Sequence, residues 1–243
     1  MIEFLGEVAA WFANPATWSG RDGIPTRLAE HLWISGAALA ASVIIGLPLG
    51  LFIGHTDRWA GGVVAIANIG RAVPSLGFMG LAFIALLPFG LALGPLPAII
   101  ALVALGLPPI IVNAWAGLRE VDDDLLEAAR GMGMRELDVL RRVEIPIALP
   151  IILAGVRTTA VQIVATATLA TVVGGGTLGQ LILIGFNVGD QVRIFGAALV
   201  VALLSIGTEV AFAALQRAAT SPGLRAGLVA PAERTQLGRT AGA

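Results

Sequence analysis

The sequence predicts an all-α membrane protein of about five transmembrane helices, and three observations carry that expectation. Of 243 residues, 57% are hydrophobic and 13% are charged, against about 25% charged in an ordinary soluble domain. No Asp, Glu, Lys or Arg falls from Ala72 through Leu118, a run long enough to cross a hydrocarbon layer of about 30 Å twice. The remaining charges are gathered between apolar stretches, above all in residues 119–144, where half of the positions are charged.

Each element follows in chain order. Residues 1–12 carry Glu3 and Glu7 and no basic residue before a short apolar stretch, which is not the pattern of a secretory leader. The following residues, 14–27, are broken by Pro15, Gly20, Gly23 and Pro25, so 1–28 is expected to lie outside the bilayer or at its surface. Span one runs from His31 to Gly54 and stops at His55, Asp57 and Arg58, with Trp59 at headgroup level. The 72–118 run divides at Pro88–Pro97, where three prolines stand with Gly90 and Gly94. That gives a second span ending near Leu87 and a third from about Leu96 to Leu118. After Arg157, the uncharged stretch to Gly189 is too long for one crossing and too short for two. A fourth span followed by a half-helix fits, with the break at Gly174-Gly175-Gly176. A fifth span runs from about Ile194 to Leu215. The membrane-embedded core is thus expected at 29–217, with a polar loop at 119–146, and 218–243 as a flexible tail.

The arginines orient these spans. With five crossings, Arg58, Arg119, Arg130, Arg135, Arg141, Arg142, Arg217, Arg225, Arg234 and Arg239 share one side, while Arg21, Arg27 and Arg193 share the other. Arg71 and Arg157 fall near or within spans. The excess places the 119–144 loop and the C-terminus in the cytoplasm and the N-terminus outside.

The loop is far longer than the roughly 2–8 residues that join helices in a bundle. Asp122-Asp123-Asp124 suits a helix start, and Asp124 with Glu127 has capping-box spacing. Gly131 and Gly133 then bend the chain into a second, amphipathic helix through Met134, Leu137, Leu140 and Val143. Pro146 and Pro150 suit the first turns of the next span. A bent pair of helices either docks another protein or rests on lipid headgroups; periodicity alone leaves both open.

Composition also excludes chemistry. The chain has no cysteine, and all 15 Lys+Arg residues are arginine. Neither a Walker phosphate loop, nor a Schiff-base lysine, nor a zinc-thiolate site is available in it. No basic stripe suggests nucleic acid. His31 and His55 stand at opposite span ends, which does not suggest a shared metal site, and no catalytic constellation such as His-Glu-x-x-His or Gly-x-Ser-x-Gly is present.

Glu127-Ala128-Ala129, three residues, Gly133, nine residues, then Val143-Glu144-Ile145-Pro146 resembles the EAA loop of the membrane subunits of bacterial ABC importers. The family pattern ends Ile-x-Leu-Pro, so Val143 and Ile145 depart by aliphatic exchange. The resemblance implies a MetI-like ABC importer permease fold in the bacterial cell membrane, with a cytoplasmic coupling helix. It makes Glu127, Ala128, Ala129, Arg130, Gly131, Gly133, Val143 and Pro146 the positions that couple to an ATPase. It also implies partners: two separate ATP-binding subunits that use ATP and Mg, a second permease subunit, identical or homologous, and an extracytoplasmic solute-binding protein, all within membrane lipid. No cofactor is expected on this chain, and it is not itself an enzyme.

Four further segments, Arg71–Leu76, Leu126–Met134, Pro146–Thr158 and Ala167–Leu181, resemble permeases for glycine betaine, carnitine, choline and proline. The implied cargo is a compatible solute; an ABC permease for another small substrate such as an amino acid is the alternative, and an ion-coupled secondary transporter a further one. The latter would call for mid-span carboxylates that the sequence does not clearly place. Pro74, Ser75, Asn113, Gln162 and Thr166 are the candidates to line a pathway, with Thr168 beside them, because polar groups in spans face other helices or water. Trp33, Phe78, Phe83, Trp115 and Phe186 are the aromatic candidates, for each of which packing or lipid contact competes. Glu209 is expected to contact a basic residue, and Arg157 to reach back toward the cytoplasmic surface.

Overall fold

The computed structural model describes residues 1–70 and 72–220, so Arg71 and the expected tail with Arg225, Arg234 and Arg239 lie outside the described residues. The described elements are helical: α1 (Ile2–Ala13), α2 (Ile24–Thr56), α3 (Ala60–Gly70), α4 (Ser75–Leu86), α5 (Pro95–Arg119), α6 (Asp123–Gly131), α7 (Glu136–Val139), α8 (Ile145–Thr166), α9 (Gly179–Val188) and α10 (Gln191–Ala219). Among the described residues, α2, α5, the continuous 136–173 stretch and α10 are each long and apolar enough to cross a membrane.

The expected bundle is present, with informative departures. Span one begins at Ile24 rather than His31, because Arg27 is neutralised inside the helix by Asp22 and Glu30 at 2.5 and 2.7 Å. The second span is two short helices, α3 and α4, parted before Ser75 at Pro74, whose extended backbone and missing N–H stop a helix from running through. The half-helix and its glycine break occur where expected. Residues 167–173 tighten into 3₁₀ turns, Gly174 and Gly176 take φ of +81° and +72°, and α9 follows.

Close approach of backbones organises the centre. Along α2, Gly46, Gly50 and Gly54 face α5, and a Cβ on Gly50 would lie 2.7 Å from Ala114 Cβ and 2.9 Å from the Ile111 carbonyl oxygen. At Gly106, α2, α5 and α8 meet; an added Cβ there would strike Ser42 Oγ at 2.7 Å and Thr159 Cγ2 at 2.9 Å. The Thr159 hydroxyl donates to the Gly106 carbonyl at 3.0 Å. Small residues allow this in lipid, where helices gain nothing by hiding apolar surface from one another. The main buried cluster joins Ile34, Ala38, Met79, Ala98, Leu102 and Ile163, with Phe78 and Phe83 packed against it. Those two aromatics are packing residues. On the opposite flank, α10 packs on α8 and α9, and α1 lies across the start of α10, its Phe4 ring edge-on to Phe195. Glu209 of α10 pairs with Arg157 of α8, which also donates to Gln216. Arg157 is therefore held by α10, and its bond to Gln216, which itself donates to the Pro150 carbonyl, points toward the loop end of α8.

Candidate functional site

The loop between α5 and α8 is built from its termini inward. The Asp122 carboxylate accepts from the Asp124 N–H at 2.9 Å and caps α6, so the cap lies two residues earlier than capping-box spacing suggested. At the other end, Gly133 N–H donates to the Arg130 carbonyl and Met134 N–H to that of Ala129. This paired closure needs a left-handed residue, and Gly133 has φ +84°. Ala129 is buried with Val121, Leu126 and Val139, while Glu127, Ala128, Arg130 and Gly131 face outward and Met132 is 78% exposed. One face of α6 thus holds the loop together and the other is presented.

Beyond the bend, the expected second helix is only the four residues of α7, followed by a π turn over Leu140–Glu144 that runs directly into α8. In α7 Val139 is buried, whereas Leu137, read from sequence as an apolar contact, is exposed. Val143 is half-buried against the loop cluster. Pro146 stands in the first turn of α8, as expected, whereas Pro150 lies inside the helix, where its carbonyl accepts from Gln216 at 2.8 Å.

A polar chain ties this loop to span one. Arg130 grips Glu136 through Nε–Oε1 at 3.0 Å and Nη2–Oε2 at 3.2 Å. Hydrogen bonding from Arg130 holds the Glu136 carboxyl below its ordinary value, and the same contact raises the guanidinium's. Glu136 Oε2 lies 3.5 Å from Nε2 of His55, near the end of α2. The other ring nitrogen, Nδ1, lies 2.6 Å from Oε2 of Glu144, whose side chain is only 4% exposed. Sequence reading took Glu144 only as part of a spacing and His55 only as a stop. The signal available was an ionisable residue next to the apolar start of a span, which must find a partner.

The opposite end of α2 holds a cavity of about 580 Å³. Arg21, Asp22, Arg27, Glu30 and Trp33 line it from the N-terminal side, and Pro95, Gly174–Gly176 and Gln180 close it. None of the five pathway candidates lines this cavity. Asn113 donates to the Pro109 carbonyl of its own helix and abuts Gly155 of α8. Gln162 and Thr166 share one half-buried face of α8, and Pro74 and Ser75 open α4. Trp115 packs around Ile53 and Ile111, while Phe186 is exposed. His31 bonds the Val164 carbonyl from deep inside the bundle, and among the described residues no metal-binding group of His, Asp and Glu forms.

A helical membrane bundle with a capped, bent loop at one end and a polar cavity at the other defines a transport subunit rather than a structural span. Residues 46–221 match the family of binding-protein-dependent transport system inner membrane components, and the chain belongs to that family. It is 39% identical over 196 residues to the glycine betaine/carnitine/choline transport system permease protein OpuCB of Bacillus subtilis, covering 81% of this chain and 88% of that protein. It is 36% identical over 196 residues to the osmoprotectant import permease protein OsmW of Salmonella typhimurium, covering 81% and 91%. The fold is shared with a chain of the inward-facing MetNI methionine ABC transporter, with a TM-score of 0.71 and 25% identity over 86% of this chain and 99% of that one.

Proposed function

We propose that this chain is the membrane-spanning half of an ATP-driven importer for a compatible solute: glycine betaine, carnitine, choline or proline. The observation that carries the coupling is the presented face of α6, locked at its base by the Gly133 turn and tied to α2 by Arg130, Glu136, His55 and Glu144. Displacement of α6 by a partner is then delivered to span one and, through the π turn, to α8. The cargo rests on relatives named for glycine betaine, carnitine and choline or for osmoprotectant import, and proline on the sequence resemblance alone.

With no lysine for a phosphate loop, ATP and Mg belong to two separate ATP-binding subunits, and this chain binds no cofactor. A second permease subunit, identical or similar, completes the path, and an extracytoplasmic binding protein delivers the solute. The loop and the C-terminus face the cytoplasm and the N-terminus faces outward, in keeping with the arginine excess at the loop end. Glu127, Ala128, Ala129, Arg130, Gly131, Gly133, Val143 and Pro146 make up the coupling positions.

The test is reconstitution of the chain with its ATP-binding subunits and binding protein in vesicles. Uptake of a radiolabelled compatible solute, dependent on internal ATP and lowered when the turn after α6 carries Gly133→Val, is the expected result. Uptake that proceeds unchanged in that variant, or without any ATP-binding subunit, refutes it.

A further inference from the structure

We propose that the cavity at the N-terminal end of α2 is a receiving site for a zwitterion bearing a methylated ammonium group. The proposal rests on the transport reading above and adds to it where the solute first touches the permease.

Four features converge there. Arg27, Glu30 and Trp33 stand at three-residue spacing along α2, hence on one face. Arg27 is 7% exposed, and both its terminal nitrogens are taken by Asp22 and Glu30, yet its Nε–H is buried without an acceptor. With no accessible surface, that Nε–H is closed off from the cavity, so Arg27 contributes its charge to the wall and holds Asp22 and Glu30 in place rather than offering a free donor. Arg21, also lining the cavity, forms no ion pair among the described residues. On the anionic side, Glu30 spends one oxygen on Arg27, and the face of Trp33, 66% exposed, stands one turn further along the helix.

The ligand chemistry follows from what these groups lack. A carboxylate suits Arg21, exposed on the cavity wall. A quaternary ammonium has no N–H to donate, so it is held by charge and by an aromatic face, which Glu30 and Trp33 supply. Gly176 keeps the cavity open. A Cβ there would lie 2.5 Å from Glu30 Oε2 and 3.1 Å from Arg27 Nη1, and its φ of +72° independently disfavours a side chain. The volume of about 580 Å³ lies within the range of small-molecule sites, roughly 300–1,000 Å³.

The experiment uses the complete importer with its binding protein, reconstituted in lipid, and the variants Trp33→Ala, Trp33→Phe and Arg21→Ala. Both positions are exposed and outside the Arg27 ion pairs, so the fold is expected to persist. With saturating, betaine-loaded binding protein, Trp33→Ala and Arg21→Ala are expected to slow uptake on the order of ten-fold, and Trp33→Phe by about two-fold. The concentration of binding protein giving half-maximal rate stays unchanged. In the absence of binding protein, saturation-transfer NMR on the N-methyl protons of glycine betaine should show contact with the wild-type assembly and lose it in Trp33→Ala. Wild-type uptake in the alanine variants overturns the receiving site. So does a raised half-maximal concentration of binding protein at unchanged maximal rate, which makes this face a docking surface. If the wild-type assembly imports no compatible solute at all, the transport reading itself fails.

Discussion

Removing His55 isolates the charge that the structure buries most deeply beside the loop. In His55→Ala, the Glu144 carboxylate loses its partner at 2.6 Å while its side chain stays 4% exposed. Breaking a buried pair from one side costs about 3–5 kcal/mol. The imidazole is 14% exposed, so water follows into part of the vacated space and the lower figure, about 3 kcal/mol, applies. Glu144→Gln keeps the shape, removes the charge and leaves a neutral hydrogen bond, costing about 1 kcal/mol. The double variant has no charge left to strand, so its cost should be about 1–2 kcal/mol instead of the sum of about 4, a coupling of roughly 2–3 kcal/mol. For a chain of this length each kcal/mol moves the melting midpoint by about 2–4 °C. Thermal scans of the assembled importer at one fixed rate read these differences, His55→Ala lying lowest and the double variant recovering above it. Single costs that simply add in the double variant would refute the reasoning, because they would mean that His55 and Glu144 do not depend on each other.

Other expectations follow from geometry already given. Gly133→Val has free space around its side chain but must hold φ near +84°; the strain of at least about 1–2 kcal/mol should loosen the α6 closure and lower solute moved per ATP hydrolysed, with Gly133→Asn intermediate. Glu127→Lys, on the exposed face of α6, should alter stability by less than about 0.5 kcal/mol while weakening ATP-binding-subunit capture in a pull-down. Gly50→Ala, which drives a methyl group into Ala114 and Ile111, should destabilise by about 1–3 kcal/mol, whereas Gly36→Ala, with nothing within 4 Å, should be neutral in the same melt. Because the Glu136 carboxyl is held below its ordinary value of 4.5, the Arg130 contact stabilises the loop fully above that value and is lost as pH falls through the lowered one. Protection of α6 amides, taken relative to their intrinsic exchange rate at each pH, should therefore fall only below about pH 4.5.

How far the sequence could be read depended on whether a feature is local. The apolar runs, the Pro88–Pro97 break and the Gly174–Gly176 break are properties of a few consecutive residues, and each lies where expected. The bend at Gly133 is local too, since the left-handed backbone is written in the glycine itself. What escaped reading depends on which side chains pair, whether close in the chain or far apart. Arg27 lengthens span one only because Asp22 and Glu30 fold around it, and Glu144 tolerates burial only because His55 arrives from 89 positions away. The π turn likewise hid itself, since a wider turn over Leu140–Glu144 leaves the composition untouched. The contacts of Asn113, with the Pro109 carbonyl of its own helix and the notch at Gly155, were likewise not written in its neighbours.

The glycine notches at 46, 50 and 54 set where the molecule has freedom to work. Helices whose main chains nearly touch have no side-chain cushion to shear, so α2 and α5 travel as a single beam. Any rearrangement that admits or releases cargo must fall on the seams around that beam: the broken α3–α4 limb and the widened turn ahead of α8.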